Sequence, residues 1–305
     1  MSNIDVEKLK QYLLNLKSFV YSEATVDDGL KFIEENVQFI LLVNRIYHGL
    51  SGHSFYRARS LGENEDPSNI KAHSYPPSNY TSLGRANVPQ LPVFYASDCF
   101  TTSLLEFLNT GQAKELVYVS EWKLNKGIDL PTFPLGEDPF KVVSNSLEIF
   151  KEYDTSIHNA IKEIFETYSI LYRLKSNYSF SAAFSYFLLY EFGLYNMIEY
   201  PSVVTQGQST CYAVNSEFFD NNFHLHRVFR VRIHDTFELG DLEGNVNPNV
   251  LLTFIDSGKV KDGDIVYSKL TKADKNKFIG FMNLMTEDGK TIRAKQYLEN
   301  LKKDI

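Results

Sequence analysis

The sequence predicts an α+β protein. Its first 48 residues carry apolar side chains at helix spacing, and residues 54–233 break into short alternating stretches divided by turn residues. These strands do not alternate regularly with helices, as a parallel α/β sheet would require. With 305 residues and 43% hydrophobic content, the chain can bury a sizeable core as one large domain or as a domain with a helical extension. Its 19 tyrosines and 23 phenylalanines are expected to fill much of that core, so no aromatic marks a ligand platform by itself.

Val6, Leu9, Leu13, Leu16 and Val20 recur at steps of three and four, the spacing of one helix face. Thr25 is placed to cap a second helix, with Asp28 closing a capping box at the favourable end of the helix dipole. That helix is expected to run through Leu30, Ile33, Val37, Leu41 and Ile46, with Gly49 and Gly52 ending it. Such stripes favour helices that complete a core over a partner-binding arm. Residues 55–59 alternate as a strand with Arg57 and Arg59 on one face, and the polar segment 62–80 reads as a long loop of the kind that often carries function.

Residues 92–96 read as a further strand, followed by a helix capped by Ser97 or Asp98 with Leu104, Leu105 and Leu108 apolar. Thr102 and Glu106 stand four apart on one side of it. After a strand over 117–122, Pro131, Pro134, Gly136 and Pro139 break the pattern, and residues 140–175 turn helical with Ile157, Ile161, Ile164, Tyr168 and Leu171 in one stripe. This block reads as an insertion or a separate subdomain. A helix over 181–192 stops at Gly193, strands follow over 210–214 and 224–233, and residues from Lys272 return to charged helix. The expected organisation is an N-terminal helical extension (1–52), a main domain (53–240) with a helical insertion at about 140–177, and a mixed or helical C-terminal segment (241–305) packing on it.

The net charge of −7 argues against nucleic acid as a direct partner, since phosphate binding normally leaves a basic surface. Cys99 and Cys211 cannot build a disulfide framework or a Cys-rich zinc site, and they fit a reducing compartment. No basic-then-apolar leader opens the sequence and no apolar run is long enough to span a bilayer, so a cytoplasmic protein without a membrane partner is expected. His224 and His226 share a strand face but lack a third ligand at a diagnostic spacing, so no metal is expected. Residues 207–211, Gly-Gln-Ser-Thr-Cys, lack the final glycine of a nucleophile elbow.

Tyr56-Arg57-Ala58-Arg59, Gly84-Arg85-Ala86-Asn87, Pro92-Val93-Phe94-Tyr95-Ala96 with Glu106 after it, and Tyr200-Pro201-Ser202 together resemble the RES domain family, named for an arginine, a glutamate and a serine. The resemblance covers about residues 54–214, interrupted by the helical block. It implies an ADP-ribosyltransferase-like fold with mixed central β-sheets, and kinship with toxins of toxin–antitoxin pairs that destroy NAD. By position Arg57 matches the family arginine, Glu106 the glutamate and Ser202 the serine, while Arg85 and Tyr95 match further pocket residues. The resemblance implies NAD as substrate and a cognate antitoxin or immunity protein as partner, and it leaves a homo-oligomer open. The chain departs from the family pattern at Ala86, where an aromatic is common, at Gln90, where a glycine is usual, and at Ala58.

The chemistry fits these residue types. Arginine forks match phosphate oxygens, which makes Arg57 and Arg85 natural anchors for a diphosphate. A carboxylate such as Glu106 stabilises the oxocarbenium-like state formed when the bond from ribose to nicotinamide breaks, and can hold the 2′-hydroxyl. Tyr95 is suited to stack on nicotinamide or support the ribose, and Ser202 to hydrogen-bond the amide or a phosphate. The acceptor of ADP-ribose decides between a glycohydrolase, a phosphorylase and a mono-ADP-ribosyltransferase. A reading from another class is a catalytically inactive nucleotide- or partner-binding module.

Overall fold

The computed structural model describes residues 6–19, 23–37, 45–49, 52–111, 116–135, 155–174, 177–240 and 246–272. Its strands are β1 (Arg45–His48), β2 (Phe55–Arg59), β3 (Val93–Ser97), β4 (Leu116–Leu124), β5 (Asp129–Pro134), β6 (Met197–Pro201), β7 (Thr210–Asn215), β8 (Phe223–Gly240), β9 (Val246–Lys261) and β10 (Asp264–Ser268). The helices are α1 (Val6–Ser18), α2 (Val26–Glu35), α3 (Phe100–Leu108), α4 (Thr155–Arg173), α5 (Ser179–Tyr186) and α6 (Ser216–Asn222). The ten strands form one mixed sheet in the order β1-β5-β6-β7-β3-β2-β4-β8-β9-β10, with β5 and β6 parallel. This is the α+β architecture that the sequence predicts.

Helices α1, α2, α4 and α5 bury Leu9, Leu16, Ile33, Ile161, Ile164 and Phe184 in one core with Phe133 of β5, Ile198 of β6 and Ala213 of β7. Each such side chain contributes about 1.5–3 kcal/mol by leaving water, so the N-terminal helices complete the core and are not a free arm. Phe133 stacks on Phe165 of α4 at 5.8 Å, which joins the described part of the helical block to the sheet. A second core on the opposite face gathers Phe55, Phe94, Trp122, Tyr212 and Phe219, with Phe94 and Phe219 at 3.9 Å. Helix α3 lies against Tyr56, Val119 and Phe229 through Phe100 and Leu104.

The capping box of α2 forms as expected, with Thr25 Oγ1 accepting from Asp28 N at 3.2 Å and Thr25 N donating to the Asp28 carboxylate at 2.8 Å. The helix nevertheless ends at Glu35: Val37 is exposed, and Ile46 lies in β1 opposite Pro131. Short apolar spacing does not separate helix from strand, and here a ladder partner far along the chain takes the segment. Pro131 and Pro134 do not break the structure either, because both lie within β5. Pro131 contributes its carbonyl to Asn196 N at 2.9 Å, and a proline is tolerated in a strand where its missing N–H is not drawn upon. The cap of α3 is Cys99, whose Sγ accepts from Thr102 N at 3.4 Å. Ser97 stays in β3, and Asp98 turns away to accept from Thr210 N at 3.1 Å.

Helix α5 starts at Ser179 and continues as a π-helical turn, Phe187–Glu191, before Gly193 at φ +65° ends it. Strands β1, β9 and β10 and helix α6 have no counterpart in the sequence reading; β8 and β9 pair on both sides of the expected boundary at 240. Residues 140–154 of the expected helical block and the charged helix beyond 272 lie outside the described residues.

Candidate active site

Glu106 projects from α3, whose cap and buried Leu104 and Leu105 fix the helix on the sheet. Its Oε1 accepts hydrogen bonds from Ser202 Oγ at 2.6 Å, from Val203 N at 3.2 Å and from Cys211 Sγ at 3.5 Å. Ser202 is wholly buried at the end of β6, in a turn closed by Ser202 N to Ser209 O and Gly207 N to Ser202 O, both 2.8 Å. Gln206 at φ +53° and Gly207 at φ +86° let the chain reverse there. Three donors on one oxygen hold the carboxylate in a single pose, and Oε2 makes no hydrogen bond among the described residues.

Arg85 sits on a turn that Tyr95 holds from below. Tyr95 Oη accepts from Ala86 N at 2.7 Å and donates to Asn87 Oδ1 at 2.8 Å, while Gly84 N donates to Asn87 O at 3.0 Å. A Cβ on Gly84 would lie 2.4 Å from Asn87 Oδ1 and 3.0 Å from Tyr95 Oη, so this close approach requires glycine. The Arg85 guanidinium lies 5.4 Å from the centre of the Tyr178 ring; its Nε is buried without a hydrogen-bond partner. Burial works against its charge, but Tyr200, Glu106, Tyr178 and Cys211 around it together hold its pKa above the ordinary value.

Arg57 comes from the other face of the sheet, where Phe55 and Phe94 lie. Strands β2 and β3 pair only at Tyr56 and Ser97, and beyond that pair Arg57 Nη1 reaches the Tyr95 carbonyl at 3.1 Å while Nε donates to Ser74 O at 3.0 Å. The guanidinium thus takes up a carbonyl that the parted strands leave unpaired. Burial, with the like charge of Arg59 adding to it and Tyr95 opposing, pushes the Arg57 pKa down to about 10, so it remains a cation at neutral pH. Arg59 is different: its Nη2 pairs with the Glu65 carboxylate at 2.7 Å, whereas Arg57 has no carboxylate partner among the described residues.

The structure therefore joins Glu106 to Ser202 directly, sets Arg85 within electrostatic reach of Glu106, and places Tyr95 under the turn that carries Arg85. Arg57 meets this group through the Tyr95 backbone and makes no bond to Glu106, Ser202 or Arg85. The hydroxyls of Tyr95 and Ser202 are both committed to protein partners. Tyr200, quoted in the sequence only as a neighbour of Ser202, carries a hydroxyl in this cluster that is not. It pairs with Cys211 across the β6–β7 ladder, lies 5.4 Å from the Tyr172 ring, and interacts electrostatically with Arg85, Glu106 and Tyr95. Its phenol makes no hydrogen bond among the described residues; burial keeps it un-ionised. Its position two residues before Ser202, in the strand that leads to it, was the available signal.

Ala86 is buried in the core, so the departure from an aromatic there is a change of packing. Gln90 has φ +66°, the left-handed region that favours the glycine usual at this place. His224 hydrogen-bonds Asn125 at 2.8 Å, and no group of three or more His, Cys, Asp or Glu that could hold a metal ion occurs among the described residues. None of the described helices is long and apolar enough to cross a membrane.

The sequence model of the RES domain matches residues 54–234, more than half of the chain and a span that encloses Arg57, Arg85, Tyr95, Glu106 and Ser202. No curated protein matches the chain.

Proposed function

The chain belongs to the RES domain family, which is broadly associated with NAD-processing, toxin-like proteins, and on that premise we propose that it cleaves NAD at the bond between nicotinamide and ribose. The observation that carries this reading is the Glu106 carboxylate, fixed by three donors beside an arginine whose buried Nε has no partner. A buried unsatisfied donor costs about 1–3 kcal/mol, and such a group is found where a ligand completes it.

In this reading Arg85 binds the diphosphate as a charge-assisted donor, Tyr95 holds the turn from which Arg85 reaches, and Arg57 supports the site from the other face of the sheet by holding the Tyr95 carbonyl. The C1′–N bond breaks with its electron pair moving to nicotinamide, which leaves neutral and needs no strong general acid. The positive charge that develops on the ribose is stabilised by Glu106, preorganised by Ser202, Val203 N and Cys211, so that no reorganisation is needed as the charge appears. Water then adds at C1′ and releases a proton, giving ADP-ribose. The free phenol of Tyr200 supplies a donor for a ribose hydroxyl or the carboxamide. A cognate inhibitor protein would act by covering this site.

Incubating the purified chain with NAD and measuring nicotinamide tests the proposal. Release by wild type and its loss in Glu106→Gln are expected; no release, or equal release by both, would sink it. Adding phosphate and candidate protein acceptors identifies the attacking group, and NAD binding without release would favour a binding module.

A further inference from the structure

A cavity of about 140 Å³ lies away from Glu106, between the β1–β2 connection, the β4–β5 turn and the start of β8. Its floor is aromatic, formed by Tyr47 and Phe55, and its polar lining is basic: Lys123 and Lys126 with the imidazoles of His48, His53 and His224. None of the described residues lining it is acidic, in a chain whose net charge is −7.

The donors in it are uncommitted. His53 packs its ring against Tyr47 at 5.0 Å and Phe55 at 4.7 Å, and its Nε2 is buried with no hydrogen-bond partner. His48 and His224 use only Nδ1, toward Asp129 at 2.6 Å and Asn125 at 2.8 Å, which leaves each Nε2 available. Neither Lys123 nor Lys126 has an ion pair or hydrogen bond among the described residues. Lys123 and Lys126 have no carboxylate partner among the described residues, Asp129 being paired with His48, and a buried polar atom without a partner is costly, so the arrangement is satisfied by an anion that accepts from several donors. The volume is well below the roughly 300 Å³ at which pockets for drug-sized ligands begin, so the occupant is a small oxyanion or the end of a larger molecule.

We propose that this cavity is a second ligand site that binds a phosphate group, with Lys123 and Lys126 supplying charge and His53 the buried contact. The site shares no residue with the Glu106 cluster, and it stands whether or not the chain cleaves NAD.

Ring resonances of His53, His48 and His224 in the full chain, followed by heteronuclear NMR during titration to about 10 mM inorganic phosphate at ionic strength matched with chloride, test the proposal directly. A saturable shift of His53 with a dissociation constant in the millimolar range or tighter is expected. It should weaken at least tenfold in Lys123→Ala/Lys126→Ala and be unchanged in Glu106→Gln. Titration with adenosine monophosphate separates the sources: tighter binding than inorganic phosphate points to a phosphomonoester, weaker binding to the free ion. No saturable shift with either compound, the same shift with chloride alone, or a shift unaltered in a double-lysine variant of wild-type thermal stability would overturn the proposal. Water as the only occupant of His53 Nε2 would give the first of these results.

Discussion

Replacing Tyr95 with phenylalanine separates two roles for this side chain. A ring that only stacks on a ligand works as well without its hydroxyl, whereas a hydroxyl that holds the turn from Gly84 to Asn87 does not. The substitution removes the bond from Ala86 N at 2.7 Å and the bond to Asn87 Oδ1 at 2.8 Å. Ala86 is 1% and Asn87 6% exposed, so both groups lose their partner in a largely dry place. Each buried unsatisfied group costs about 1–3 kcal/mol, and because this turn also borders half-exposed residues, water recovers part of that, leaving an expected loss of about 2–4 kcal/mol. Urea unfolding should show the loss as a lower midpoint at an unchanged slope. NAD affinity, measured by calorimetry in a Glu106→Gln background, should fall by about tenfold or more as Arg85 loses its fixed approach, which is about 1.4 kcal/mol. A stability change under about 0.5 kcal/mol together with unchanged NAD affinity would refute the assignment of Tyr95 to the turn.

Ser202→Ala removes the 2.6 Å donor to Glu106 and nothing that faces solvent, so kcat/KM for nicotinamide release should fall by about 10- to 150-fold, the equivalent of a charged hydrogen bond of about 1.5–3 kcal/mol; steady-state kinetics with activity near wild type would contradict it. Tyr200→Phe keeps the ring against Tyr172, so its unfolding midpoint should hold while NAD affinity drops about three- to tenfold by titration calorimetry. Stability should also fall on acidification. Burial depresses the pKa of His73, which is wholly buried in the fold with Nε2 on the Pro67 carbonyl, below the ordinary 6.5. Below that value the unfolded chain binds more protons than the folded one, so stability is lost as pH falls through it. The urea midpoint at about pH 5 should be lower than at neutral pH, and less so in His73→Gln.

The sequence by itself determined the fold class, the capping box at Thr25 and Asp28 and strands at 55–59 and about 92–96, and it singled out the candidate set Arg57, Arg85, Tyr95, Glu106 and Ser202, because each rests on local periodicity or on a motif read along the chain. Only the tertiary structure decided what those residues do to one another. Ile46 and Pro131 belong to strands because they face each other across a ladder, a pairing that no local spacing encodes. Arg57 and Arg59 are alike in alternation, yet Glu65 neutralises one and the parting of β2 from β3 leaves the other with carbonyls alone. Ser202 and Tyr95 carry the expected hydroxyls, but each is spent inside the protein on Glu106 or on the turn of Arg85, while Tyr200 keeps its own. A sequence fixes which donors a chain possesses; the distances between residues about a hundred positions apart, Glu106 and Ser202 among them, fix which of those donors remain free for a ligand.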